Sequence, residues 1–262
     1  MTKDIKIFFW LLKIGAGVNI YFLVQSLSNQ QVSTDPNIII PAWIFFIVSA
    51  FRCLFPVRYR GNLIFHNSPF SSIFLTRLLA TFSETALIYQ LSYVLKSSYI
   101  TPSSWVDFGS WLMVGLVTIS QIFVWGAIFT GRSRFYFYEE FGWALIYGIN
   151  TITSYYLYLT ENHSGAGEFF ILLNLLFGAG YIPWQIVKLR SLHSTALVQE
   201  LNENNDNIIS RLLIVDGLKE SIRIKNQTAD YKSWGGLSGM IWMTAYWATL
   251  LPVWVYLIIL KF

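Results

Sequence analysis

Seven stretches of this chain stay apolar for about 20 residues, the length a helix needs to cross the hydrocarbon core of a bilayer. They run over about 5–27, 38–55, 73–95, 105–130, 139–159, 168–187 and 234–260. This pattern predicts an all-α integral membrane protein: a seven-transmembrane-helix bundle, with 1–262 as a single membrane domain. Short, polar, turn-rich links join the first six runs. The stretch 188–233 is the exception, a long link with water-soluble character. Within it Ile208, Leu212, Val215, Leu218 and Ile222 recur at helical spacing, which predicts an amphipathic helix capped at Asn205 or Asp206. Gly217 weakens that helix. Pro41 falls in the first turn of the second run, where proline is tolerated, and Pro252 predicts a kink in the seventh.

Charge fixes an orientation for this count. Of the 18 Lys and Arg residues, Lys96 and Lys261 fall on one side, and Lys13 and Arg77 lie inside runs. The others collect on the side of the N-terminus. Basic residues concentrate on the cytoplasmic side of membrane proteins, so the N-terminus is expected in the cytoplasm and the C-terminus on the opposite face. The link 188–233 is then cytosolic. Asn162-His163-Ser164 is a formal glycosylation sequon on the far side.

The third run, IFLTRLLATFSETALIYQLSYVL, is the one that carries opposite charges. Arg77 and Glu84 are seven residues apart, so they project within about 20° of each other and lie roughly 10 Å apart along a helix. Thr81 sits between them on the same face. Charges inside a spanning helix turn toward protein or water rather than lipid. The orientation gives each polar residue a depth. Glu84, Asn150, Gln121, Asn19, Thr244 and Tyr246 fall near one level, and are expected to form a ligand- or ion-binding centre near the midplane with Arg77 and Thr81. Nearer the cytoplasmic side lie Lys13, Arg52, Arg77, Glu139, Glu140 and Gln185. Glu139, Glu140, Arg52 and Lys13 are expected ion-pair formers there, with Arg77 reaching Glu139 or Glu140. Those two carboxylates open the fifth run inside an aromatic belt, Tyr136 to Trp143, where the positive end of a helix favours them. A hydrogen-bonded network that only fixes helix packing is the alternative use of all these groups.

Composition excludes several classes. Only 12% of residues are charged and 55% are hydrophobic, so the net charge of +4 reflects membrane topology rather than nucleic-acid binding. Cys53 is the one cysteine, which rules out an intramolecular disulfide, a CxxC centre and a thiolate zinc site. His66, His163 and His193 all fall in links without the spacing of a zinc, haem or di-iron site, and no metal is expected. The seventh run has no mid-helix lysine for a retinal Schiff base; Lys232 and Lys261 lie at its ends. Its Gly235, Gly236 and Gly239 allow a close neighbour. The first expectation is therefore a transport- or channel-like protein for an ion, proton or small molecule. The second is an intramembrane enzyme acting on a lipid or apolar substrate through Glu84 or the Glu139/Glu140 region. The third is a non-catalytic subunit that meets other membrane proteins through 205–225. The lipid bilayer is a partner in all three. Cysteines introduced at Ser164 and at Asn204 are expected to react with an impermeant maleimide from opposite sides of the membrane. Reaction of both from one side would overturn the seven-span count.

Overall fold

The computed structural model describes residues 3–203 and 211–262. About 80% of the chain is helical. Each apolar run falls on helix: α1 (Lys3–Ser28), α2 (Pro36–Leu54), α3 (Ile73–Ser97), α4 (Ser104–Thr130), α5 (Ser133–Leu159), α6 (Gly165–Glu203), then α7 (Arg211–Arg223) in the link, and α8 (Gly236–Trp247) and α9 (Leu250–Lys261) over the last run. Among the described residues, five helical stretches are long and apolar enough to cross a membrane: Ile5–Ser28, Pro36–Leu54, Ser104–Thr130, Gly165–Gln199 and Gly236–Lys261. The other two long helices, α3 and α5, reach 25 and 27 residues but carry Arg77 and Glu84, and Glu139 and Glu140, in their interiors. The chain is thus a helical protein of the integral membrane class.

Cα packing divides it into two compact units: residues 1–87 with 218–262, and residues 88–217. In the first, α1 and α2 form an antiparallel pair closed by α8 and α9. Asp35 caps α2 by accepting the Asn37 N–H at 2.9 Å, with Pro36 opening the helix. That start moves Pro41 into the second turn, rather than the first turn expected from the sequence. The pair is filled with rings: Phe22 stacks on Tyr256 at 4.2 Å and Phe45 on Trp247 at 6.3 Å.

The link after α2 is ordered in a way its turn-rich composition does not reveal. Strands β1 (Val57–Arg58) and β2 (Leu63–Ile64) pair antiparallel around a turn in which Gly61 and Asn62 take positive φ of 83° and 51°. Strand β3 (Asn226–Gln227) adds to β2 in parallel, Leu63 opposite Asn226. Side chains tie the same two segments: Asn226 donates to the Gly61 carbonyl at 2.7 Å, Lys225 to Ser68 at 2.6 Å, and Arg58 to Ser233. Trp234 is buried against Phe8 and Phe65. Asp230 accepts both the amide and hydroxyl of Ser233, which hold its carboxyl below the usual range. His66 lies edge-on to Phe9 and Phe65. Burial, and then the Lys13 ammonium nearby, pull its pKa below the ordinary imidazole value.

In the second unit α5 packs between α4 and α6. Small residues let the backbones approach: a Cβ added to Gly142 would lie 1.9 Å from Ser120 Oγ, and one on Gly178 2.1 Å from Thr151 Oγ1. Gly131, at φ 67°, ends α4 in the left-handed conformation, its N–H donating to Ala127 at 2.9 Å. At the opposite end Asn162 Oδ1 accepts the Thr101 N–H at 2.8 Å and its Nδ2 donates to the Thr101 carbonyl at 3.0 Å, so the sequon side chain is engaged.

The end of α6 differs from the sequence expectation. Helix α6 continues past Val187 to Glu203, 39 residues or about 58 Å. Its tail is useful to α5: Gln199 accepts the N–H of Ser133, the first residue of that helix, at 2.8 Å. Helix α7 does form, but the cap expected at Asn205 or Asp206, and Ile208, lie outside the described residues. Gly217 is a packing point rather than a weakness, since a Cβ there would sit 1.9 Å from the Phe129 carbonyl oxygen. Val215 and Ile222 are 43% and 46% exposed, while Ser221 is buried.

Gly15 of α1 lies against Ala248, where an added Cβ would fall 2.6 Å from the Ala248 Cα. Backbone cannot yield there as a side-chain tip would. Gly15→Ala is expected to destabilise the protein by about 1–3 kcal/mol, as overpacking does. Gly17→Ala, where nothing lies within 4 Å, is expected to leave stability unchanged or raise it by up to about 1 kcal/mol. Thermal unfolding in mild detergent compares the two.

Candidate functional site

The polar centre of the first unit begins at a break in the last apolar run. Helices α8 and α9 are 12 residues each, separated by Ala248 and Thr249. Thr249 leaves helical geometry, at φ −134° and ψ −78°. Pro252 lacks the N–H that a continuous helix would aim at Ala248, so the interruption falls one turn before the proline. The Thr244 carbonyl takes up the slack, accepting the amides of Ala248 and Thr249 at 2.9 and 3.0 Å. Thr244 Oγ1 itself bonds back to Met240 at 2.8 Å. The Trp247 carbonyl is served from outside the helix: Asn19 Nδ2 donates to it at 2.9 Å, and Cys53 Sγ at 3.4 Å. Thus Asn19 of α1 and the end of α2 converge on the break. Tyr246 is buried beside it, with its ring between Trp242 and Trp247.

Arg52 precedes Cys53 and lies 95% buried, since only 5% of it is exposed. Its guanidinium carbon is 5.1 Å from the Trp247 ring centre and 5.1 Å from that of Tyr59, in the β1–β2 turn. Its one hydrogen bond is from Nη2 to the Val57 carbonyl at 3.4 Å. The guanidinium carbon of Arg77 of α3 is also near the Tyr59 ring, 5.4 Å from its centre. Arg77 and Glu84 then meet as a two-point pair: Nη2 to Oε2 at 2.7 Å and Nη1 to Oε1 at 3.4 Å. They are 1% and 7% exposed. The seven-residue spacing predicts this shared face, and the long arginine closes the distance along the helix. Thr81, between them, is half-buried.

Arg77 thus has a carboxylate partner on its own helix; Glu139 and Glu140 belong to the second unit. There Glu140 is bound by Lys188 Nζ and by Gln185 Nε2 at 2.8 Å, both on α6. Because α5 starts at Ser133, Glu139 and Glu140 sit in its second turn, past the reach of the helix dipole that the sequence suggested. Glu139 is buried. Lys13 is exposed, and its ammonium lies over the rings of Phe9 and Trp10, at 4.2 and 5.4 Å, with no carboxylate partner among the described residues. Gln121 and Asn150, expected at the level of Glu84, are also in the second unit. Asn150 is fully buried, and neither amide atom has a hydrogen-bond partner among the described residues. A turn beyond it, Asn174 of α6 donates to Ser154 at 2.9 Å.

Tyr59 was not among the residues the sequence marked out. Tyr59 lies in a link, and aromatic residues are abundant throughout. A tyrosine in a turn followed by Arg-Gly-Asn gives no sign that two arginines will share its ring. Chemically, the first unit combines a broken helix, a buried ion pair and a second buried guanidinium with aromatic walls. Compared with family models, with curated proteins and with solved structures, the chain matches none.

Removing one member of a buried pair strands the other. Glu84→Ala is expected to destabilise the protein by about 3–5 kcal/mol, whereas Arg77→Met with Glu84→Met recovers most of that loss. Unfolding of the single and double variants in detergent measures the difference. Additive losses in the double variant would mean the pair does not act as one.

Proposed function

We propose that the chain is a seven-span membrane protein, with the N-terminus in the cytoplasm, that moves an ion or small molecule through a site at the broken last helix. Helices α3 and α5 are the two spans whose interior charges lower their mean hydropathy. The observation that carries the reading is the break at Ala248–Thr249 next to the Arg52, Tyr59, Arg77 and Glu84 group. Interrupted spans expose backbone groups in mid-membrane, and transporters use such breaks to meet their substrates. An ionisable pair inside a span supports the same use. In this arrangement Asn19, Thr244 and Tyr246 serve the break itself. Arg77 and Glu84 supply the charge that an incoming ion or polar solute meets. Gln121 and Asn150 form a second polar station in the α4–α6 unit.

A subunit role is favoured by one observation, the exposed Val215 and Ile222 on α7. It makes α7 the surface for another membrane protein. Co-purification of a stoichiometric partner, lost in Val215→Ser with Ile222→Ser, would support that second reading.

The test of transport is flux in liposomes containing the purified protein, across protons, alkali cations, halides and small organic acids. At least one of these is expected to cross faster than in empty liposomes. Glu84→Gln is expected to cut that flux tenfold or more while leaving detergent-phase elution unchanged. Equal flux in a folded Glu84→Gln protein would sink the proposal.

A further inference from the structure

We propose that Arg52, Tyr59 and Arg77 form a binding site for a singly charged anionic group, a carboxylate or a phosphodiester. Arg52 carries the argument. It is 95% buried, because 5% of it is exposed, and a guanidinium does not shed its proton in a protein. Two of its donors, Nε and Nη1, have no acceptor, and the third nitrogen makes a single long bond to Val57. The rings of Tyr59 and Trp247 meet its guanidinium through their π faces. Neither ring supplies an acceptor to Nε or Nη1.

The surrounding groups give the ligand its charge. Arg77 lies against the same Tyr59 ring and is paired with the Glu84 carboxylate. Arg52 makes no ion pair among the described residues, so its one positive charge is without a counter-ion. Water would satisfy loose donors but would not neutralise it. A group with one negative charge and at least two oxygens does both, and the flat fork of arginine matches that shape. Two further buried donors lie with it: the Tyr59 hydroxyl, and the Ser49 hydroxyl one turn before Arg52 on the same face of α2. Neither has a hydrogen-bond partner among the described residues. The site goes beyond transport, since an anion that is bound and never moved would occupy it equally.

Full-length protein in nonionic detergent is titrated with benzoate, inorganic phosphate, dioctanoylphosphatidylglycerol and, as a zwitterionic control, dioctanoylphosphatidylcholine. Thermal unfolding is the readout. At least one anionic probe is expected to give saturable stabilisation, and Arg52→Gln to weaken its apparent Kd at least tenfold. Tyr59→Phe, which keeps the ring and removes the hydroxyl, is expected to weaken it by a smaller factor. Without added anion, Arg52→Gln is expected to be at least as stable as the wild type, because a charge without a counter-ion has gone. Stabilisation by phosphatidylglycerol alone identifies a lipid headgroup as the source; stabilisation by benzoate or phosphate identifies a free anion. If Arg52→Gln does not fold, Arg52→Lys takes its place, with the same tenfold weakening expected from loss of the fork. No stabilisation by any anionic probe, or an unchanged Kd in the folded Arg52 variant, overturns the site.

Discussion

A polar group among apolar helices has no water to fall back on, and the arrangement of the first unit follows from that constraint. The Trp247 carbonyl is the plainest case. The break at Ala248–Thr249 deprives it of a helical donor, so Asn19 and Cys53 supply hydrogen atoms from α1 and α2. Those bonds draw three helices to one point. Gly15 permits the approach, because its missing side chain is what allows α1 to lie on Ala248. Arg77 and Glu84 solve the same problem within a single helix. Arg52 is solved only in part, by aromatic faces and one long hydrogen bond. Where partners are complete the structure is held, and where they are incomplete it has capacity for a ligand.

Much of the helical plan was legible in the sequence. Apolar runs of spanning length are a strong signal, because a bilayer leaves the backbone few other solutions. The shared face of Arg77 and Glu84 was readable as well, since a seven-residue interval returns to nearly the same helix face, but their pairing across two turns was not. The limits were equally physical. Periodicity gave no end for α6, because a helix that leaves the membrane keeps its backbone bonds while its side chains turn polar. The strand pairing of 57–64 with 226–227 joins segments far apart in the chain, and two-residue strands are too short to alternate visibly. Depth arithmetic set Arg52 on a different level from Asn19. It treated spans as straight and separate. In the structure α2 ends close to the break, and Trp247 meets both levels.

Glycines illustrate the same division. Gly217 reads from sequence as a helix weakness, because glycine lowers helix propensity. Its purpose appears only when the Phe129 backbone is seen against it. The Tyr136–Trp143 segment makes a related point about charge. Two adjacent carboxylates resemble a helix start until Ser133 is seen to begin α5, after which Glu140 has Lys188 and Gln185 as partners on the next helix.

The first unit is assembled from residues 1–87 and 218–262, with the whole of 88–217 made in between. During synthesis, Arg52 and Tyr59 leave the ribosome long before Trp247 exists. At about 5–20 residues per second the interval from residue 87 to 247 lasts roughly 10–30 s. Throughout it β2 lacks its parallel neighbour and Asn19 lacks the carbonyl it will bind. The α4–α6 unit, by contrast, is continuous in the chain and has all its members as soon as it has been translated. The order of birth therefore runs opposite to the order of the residues: the N-terminal helices wait, and the part of the molecule that carries the buried arginines is completed last.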